Sequence, residues 1–437
     1  MHRILRISSK ILPIIIEFYS FLFRFGVRLR LKVKSGKYIS VINTHSQGGG
    51  AARVALDIVT GSLHSSEMHF FVNENALSSK NIHLIEKMKQ TLLIRWLQEM
   101  ERIGGWLDFS LISPLNLLKN SYFQSSKIVH LHNLHGSYFS YAILSSLVKN
   151  KKVIWTLHDE QLLTGHCSCT LGCDYWKKGC GNCPFLETYP AIKKDTTKEL
   201  LAYKTSILKE IQPTIICPSH WLADRVKVAF PFLKTIKVIP NGVDINVFKP
   251  MDKKVLRTKL GLPENGFILL FAAELATNNP FKGGELIEKL LETNTFKDTY
   301  FVTIGGETMK KSENHLPYGY ITEQNEMAEL YAASDLMLYP TRADNLPLVV
   351  LEAMSCGLPV VSTSIGGITE IIKDKVNGFL ITDGYNSDLF KEAIDAYRLF
   401  SKFQREQYSI QARKTIVSHF SIENMLKEYD ELYNNNL

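Results

Sequence analysis

The sequence predicts an α/β protein made of two doubly wound parallel sheets, and three observations carry that prediction. From Tyr38 onward, apolar runs that end in polar or Gly-rich turns alternate with longer amphipathic segments, the pattern of strands and helices in parallel sheets. Two series of such runs are complete. The first has Tyr38 to Asn43, Ile128 to His132, Val153 to Leu157, Thr214 to Cys217 and Ile236 to Pro240. The second has Phe267 to Ala272, Tyr300 to Ile304, Leu336 to Tyr339, Pro359 to Thr363 and Gly378 to Ile381. Between them lies a turn-rich string, IPNGVDINVFKP, followed by charged residues up to Pro263, which reads as a linker. The length of 437 residues agrees, since it exceeds what one core normally supports.

Hydrophobic residues at 45% and charged residues at 22% describe a soluble globular chain. The net charge of +8 is local. Residues 1–37 hold nine Lys or Arg against the single acid Glu17, so the remainder is neutral. A neutral body without a basic stripe argues against nucleic acid as a partner. The N-terminal segment mixes Ile, Leu and Phe with single basic residues, and its longest apolar run, Ile11 to Phe23, is broken by Pro13 and Glu17. Such a run is too short for a spanning helix, which needs ~20 apolar residues. No small-residue cleavage site follows it, so no signal peptide is expected. Residues 1–37 therefore read as a basic amphipathic anchor on an anionic membrane surface. The alternatives are a helix packed on its own domain and, for the alternating Val27 to Lys34, an extended strand.

The stretch from Tyr339 to Val361, YPTRADNLPLVVLEAMSCGLPVV, is the most informative in the chain. An apolar strand ends at Tyr339, a polar turn spans Thr341 to Leu346, and Pro347 suits the first position of a helix because its missing N–H would have no partner there. Free amides at such a terminus attract a phosphate. Asp344 then sits in a loop beyond a strand's carboxyl end, where open α/β sheets bind ligands. Glu352 stands eight positions further along, in the helix.

This segment resembles the signature of the retaining glycosyltransferases of family 4, in which an acid, seven other residues and a Glu precede Ala-Met and a Gly-Pro-Val-Val strand. The family usually has Glu where this chain has Asp344, and the Asp-Asn-Leu-Pro wording is similar to the bacterial exopolysaccharide and O-antigen branch. The resemblance covers residues 38–430 and implies the GT-B fold, two Rossmann-like domains facing a cleft. It implies the following boundaries: an acceptor-side domain over 38–250 with a Cys-rich loop at 165–184, a nucleotide-sugar domain over 251–418, and a C-terminal helix over 419–437 that crosses back to the first domain. By the same resemblance Asp344 contacts the donor sugar and Glu352 the nucleotide ribose, with Asn345, Leu346 and Pro347 lining the donor.

Four further features fall at strand ends. Gly48, Gly49 and Gly50 open a helix after the first strand and let backbone approach a ligand. They match the family's first loop, which puts Gly49 and Gly50 beside the donor diphosphate. His158 closes VIWTLH and matches the strand-end histidine that meets a sugar hydroxyl or the leaving phosphate, whereas His130, His132 and His135 read as structural. Lys282 matches the lysine that neutralises the diphosphate. The accompanying Arg is missing, since Ala276, Thr277, Asn278 and Asn279 occupy the earlier half of that loop. Tyr320 and Ile321 follow the family string at the nucleotide base, and Met327, Leu330 and Tyr331 behind them have core spacing.

Five of the seven cysteines lie in HCSCTLGCDYWKKGCGNCP. Cys180 and Cys183 have the spacing of thiolate metal ligands, and with Cys167 and Cys173 they make up a candidate structural zinc site. Disulfides and free thiols are the alternatives. A similar loop occurs in the exopolysaccharide branch.

The function expected is therefore transfer of a sugar from a nucleotide sugar to a lipid-linked or polysaccharide acceptor in bacterial cell-surface glycan assembly, with retention and without a catalytic divalent metal. Its expected place is the cytoplasm, peripheral on the inner face of the membrane. Two rivals are a sugar-nucleotide epimerase and a non-catalytic membrane scaffold.

Overall fold

A computed structural model describes residues 36–74, 77–85, 92–109, 111, 113–273, 281–292, 298–305, 313–382 and 385–437. The proposed membrane segment, apart from its last two residues, and the loop holding Ala276 to Asn279 lie outside these residues. Contacts divide the described residues into two compact units. One takes in the described residues up to Pro218, Leu222–Ile239 and Glu428–Leu437, the other Ser219–Trp221 and the described residues from Pro240 to Lys427.

The first unit is built on a seven-stranded sheet: β1 (Tyr38–His45), β2 (Met68–Glu74), β3 (Ile82–Leu84), β4 (Ser126–Leu131), β5 (Lys152–Thr156), β6 (Thr214–Cys217) and β7 (Ile236–Val238). Their order is β3-β2-β1-β4-β5-β6-β7 and every pairing is parallel. β1 therefore lies beside β4, and β4 beside β5, which makes neighbours of the three loops that leave their carboxyl ends. Residues from Glu428 onward belong with this unit. Tyr433 Oη bonds His130 Nδ1 at 2.7 Å, Tyr429 Oη bonds Thr156 Oγ1 at 2.9 Å, and Asp430 accepts from Ser62.

The second unit has a six-stranded sheet, β8 (Phe267–Ala272), β9 (Thr299–Ile304), β10 (His315–Tyr318), β11 (Leu336–Tyr339), β12 (Val360–Thr363) and β13 (Gly378–Ile381), in the order β10-β9-β8-β11-β12-β13 and again parallel. β8 shows why such strands read as unbroken apolar runs. Ile268, Leu270 and Ala272 enter one core cluster, Leu269 and Phe271 the other, so both faces are buried.

Three strands carry no matching run in the sequence reading. β3 and β10 are short sheet edges, and β10 contains Pro317, which an edge strand tolerates because no ladder donor is needed there. β2, MHFFVNE, places His69 and Asn73 among its apolar residues; His69 Nδ1 meets His83 Nε2 of β3 at 2.9 Å.

Candidate functional site

In the second unit the loop after β11 is fixed by close packing. Gly366 has φ +57°, and a Cβ there would collide with the Asp344 carbonyl, so the loop after β12 can pass this close only as glycine. Asn241 Nδ2 donates to Leu346 O at 2.8 Å, and Ser219 Oγ donates to Asn345 Oδ1. The helix begins at Leu348 with Pro347 at its N-cap, φ −71° and ψ 125°, one residue later than the sequence reading has it. The first-turn amides of Leu348 and Val349 have no acceptor within the helix.

Lys282, Tyr339 and Asp344 meet at this edge. Lys282 Nζ pairs with Asp344 Oδ2 and donates to Tyr339 Oη at 3.1 Å, while Tyr339 donates its hydroxyl proton to the same Asp344 oxygen. Asp344 Oδ1 accepts from Asn345 N at 3.1 Å. Burial by itself would lower the Lys282 pKa, but the adjoining Asp344 carboxylate outweighs it and holds the ammonium above its ordinary range. Burial, with the same carboxylate second, raises the Tyr339 hydroxyl, so it stays a donor. An ammonium has three N–H donors. Two are engaged among the described residues, and the third can meet a phosphate oxygen. Asn345 Nδ2 is a second such donor, buried and without a partner.

Glu352 accepts from Tyr331 Oη at 3.2 Å. Tyr331 is wholly buried, as its core spacing indicates, yet its hydroxyl orients the carboxylate, a role that spacing cannot show. Tyr339 is likewise a site contact hidden in a strand pattern. The signal available was a hydroxyl ending an otherwise apolar strand. Arg342 lies beside the Lys282 turn, its N–H donating to Phe281 O at 2.7 Å, but its guanidinium is paired with Glu285 at 2.8 Å and stacked on Tyr385. Tyr320 is exposed, and Ile321 packs partly against the core.

In the first unit Gly48 caps a helix spanning Gly49–Gly61, with φ +88° at Gly48 and +75° at Gly49, values that other residues rarely adopt. Gly49 and Gly50 are exposed, and a Cβ at Gly49 would meet nothing, so it is the backbone turn and not crowding that needs glycine. The loops after β4 and β5 bring His132 and His158 together at 2.9 Å. Burial lowers both, His158 to about 4, which keeps the pair neutral at physiological pH. Beside them His135 Nε2 pairs with Asp159 Oδ2 at 2.7 Å; burial would lower His135, but the carboxylate prevails and raises it. His130 is structural, as read, held at both ring nitrogens by Tyr433 and Thr156. His132 is not independent of the site, because it touches His158.

The cysteine loop gives the zinc expectation no support. Cys167, Cys173, Cys180 and Cys183 line one small cavity with His166, but no three or more His, Cys, Asp or Glu side chains among the described residues are arranged to hold a metal ion. A tetrahedral zinc needs sulfurs converging at about 2.3 Å from one point, and no such cluster is found among the described residues. Local contacts occupy the thiols instead. Cys180 Sγ accepts from Gly165 N at 3.3 Å and Cys183 Sγ lies 3.5 Å from His166 Nε2. Burial raises the Cys167 thiol to about 12 and also raises Cys180 and Cys183. None of the seven cysteines is joined in a disulfide. Polar side chains order the loop. Glu160 accepts from Thr170 N at 2.8 Å and pairs with Arg225, whose guanidinium stacks 4.4 Å over Trp176. The buried Lys204 donates to Gln161 O at 2.6 Å and Thr164 O at 3.1 Å.

Two family profiles match the chain, "Glycosyltransferase Family 4" over residues 49–247 and "Glycosyl transferases group 1" over residues 252–415. Solved structures share the fold at low identity. The sucrose-phosphate synthase of Thermosynechococcus elongatus has a TM-score of 0.66 at 14% identity, covering 91% of this chain and 98% of that one. HepE of Anabaena, crystallised with UDP-glucose, has 0.62 at 16%, covering 91% and 99%. The two parallel sheets flanked by helices are the two Rossmann domains of a GT-B glycosyltransferase. The chain belongs to glycosyltransferase family 4 and transfers a sugar from a nucleotide-sugar donor. Among its relatives, the putative colanic acid biosynthesis glycosyl transferase WcaC of Escherichia coli K12 is 26% identical over 76% of this chain and 84% of that protein. The Escherichia coli UDP-Gal:alpha-D-GlcNAc-diphosphoundecaprenol alpha-1,3-galactosyltransferase is 32% identical over 50% of this chain and 57% of that protein.

Proposed function

We propose that the chain is a retaining, hexosyltransferase-type enzyme that moves a sugar from a nucleotide sugar to a lipid-linked or polysaccharide acceptor in bacterial surface-glycan assembly. The observation that carries this reading is the Lys282–Tyr339–Asp344 cluster at the carboxyl edge of the second sheet. It offers what a departing nucleotide diphosphate needs, a charged ammonium with a donor to spare, next to a carboxylate held for sugar hydroxyls. Amides at the start of the Leu348–Ser355 helix add partial positive charge. In the mechanism proposed, the acceptor oxygen attacks the anomeric carbon on the face from which the diphosphate leaves. The C–O bond to phosphate breaks with its electron pair on the phosphate, and that phosphate takes the acceptor proton. Protein groups position and stabilise charge without covalent attack. Glu352, oriented by Tyr331, holds the ribose; Tyr320 and Ile321 lie toward the base; His158, Gly49 and Gly50 meet the sugar and diphosphate. The printed functions of the two Escherichia coli relatives support a lipid-linked or polysaccharide acceptor.

A thermal-shift screen against nucleoside diphosphates and nucleotide sugars tests the donor reading, since a ligand selective for the folded state raises the unfolding temperature. At a concentration of 100 Kd the gain is about 2.7 kcal/mol. A flat response to every nucleotide tested, in protein that unfolds cooperatively, would overturn it.

No helix among the described residues is long and apolar enough to cross a membrane. The basic residues 1–35 are proposed to hold the enzyme on anionic lipid at the cytoplasmic face. Their deletion is expected to release it from anionic vesicles and to leave transfer to a soluble acceptor analogue intact. Retention on the vesicles after deletion overturns the anchor.

A further inference from the structure

His132 and His158, just beyond the ends of β4 and β5, form a hydrogen-bond pair. His132 Nδ1 lies 2.9 Å from His158 Nε2, with the two rings nearly parallel at 16° and their centroids 5.2 Å apart. His132 is 1% exposed, and its Nε2 is buried with no hydrogen-bond partner. Its neighbour His130 cannot supply one, because both nitrogens of that ring are already bonded, to Tyr433 and Thr156. His158 is partly exposed, and its Nδ1 makes no hydrogen bond among the described residues.

The direction of the proton follows from the orphan nitrogen. If His158 donated through Nε2–H, the neutral His132 would carry its own proton on Nε2, a buried N–H with no acceptor. Orphaned buried N–H groups are rare in folded proteins and costly. If His132 donates through Nδ1–H, its Nε2 is only an unfilled acceptor, the cheaper arrangement. His158 Nε2 then accepts, and the one proton of its neutral ring resides on Nδ1, the nitrogen left open.

We propose that His132 is a positioning residue that locks His158 in the Nδ1–H tautomer, so that His158 meets the sugar or the departing phosphate as a hydrogen-bond donor and not as a base. This rests on the reading that His158 contacts the donor. A donor there suits an oxygen that gains negative charge as the bond breaks, since it strengthens as the reaction proceeds. It also assigns the acceptor proton elsewhere, because the open nitrogen of His158 is already protonated.

Histidine-labelled NMR of the full chain reads the tautomer directly, from the ring nitrogen and carbon shifts of His158 assigned with His158→Ala. The expected wild-type signature is Nδ1–H. His132→Phe keeps a flat ring but removes the donor. It should shift His158 toward Nε2–H and lower kcat by about tenfold or more, the scale of one lost hydrogen bond to a charged group, with little change in nucleotide affinity. His132→Asn returns an N–H near the position of Nδ1 and is expected to restore both tautomer and turnover; it also serves if His132→Phe fails to fold. A wild-type His158 protonated at Nε2 overturns the proposal. So does an unchanged tautomer with unchanged turnover in His132→Phe when His158→Ala is impaired. Wild-type turnover in His158→Ala instead overturns the role of His158 itself.

Discussion

Lys282→Ala is expected to slow sugar transfer by ~10²-fold or more, the loss seen when one preorganised stabiliser of transition-state charge is removed. The effect should be large because Lys282 has no evident substitute. Among the described residues nearby, the Arg342 guanidinium is committed to Glu285 and Tyr385, and the preceding loop contains no Arg. The substitution also strips Asp344 of its cationic partner, so part of the loss comes from the carboxylate's placement. Single-turnover rates with saturating donor separate the slowed chemical step from weaker binding. Lys282→Arg keeps a charge on this turn but not the compact three-donor head, so recovery should be partial. Near-normal turnover in Lys282→Ala, with the protein folded, would show that the diphosphate is neutralised by other groups.

Asp344→Asn and Glu352→Ala are expected to fail in different ways. Asp344 accepts from Lys282, Tyr339 and the Asn345 amide. Its amide replacement removes the charge that holds Lys282 and cannot accept at both positions as the carboxylate does. Turnover should fall by about two orders of magnitude, and nucleotide affinity only slightly. Glu352, read as the ribose ligand, should show the reverse. Removing hydrogen bonds to a charged group costs ~1.5–3 kcal/mol, about ten- to a hundredfold in nucleotide affinity. Calorimetric titration with the nucleoside diphosphate, set beside initial rates, makes the comparison. Equal and small effects of both substitutions on both quantities would sink the assignment of this motif.

The motif was legible because its parts are close in sequence. A strand end, a turn, a proline and two acids within one stretch constrain each other locally, and backbone preferences at Pro347 and Gly366 are properties of single residues. The same holds for β6, β8, β11 and β13, whose limits the apolar runs give to the residue. The edge strands β3 and β10 were not legible, because they are short and only partly buried and so carry no continuous apolar run, whereas the edge strands β7 and β13 were.

What the sequence determined by itself is the alternation of strands and helices, the parallel sheets that follow from it, the two series and the motif that marks a sugar-nucleotide enzyme. What the tertiary structure alone decided is which polar atoms meet. Tyr339 and Tyr331 read as strand and core, and join the candidate site only because β11 and the Gln324–Ala333 helix bring their hydroxyls to Asp344 and Glu352. His132 and His158 stand in different strand units and touch because β4 and β5 are adjacent in the sheet. The cysteines show the converse. Their spacing satisfies a zinc pattern, but ligation requires convergence on one point, and no such cluster is found among the described residues, where Lys204 and the Glu160–Arg225 pair supply polar contacts to that loop. Local patterns follow from the backbone's short-range sterics and from burial of apolar faces. The direction of a hydrogen bond between residues distant in sequence depends on which chain segments become neighbours, and that is a property of the folded molecule alone.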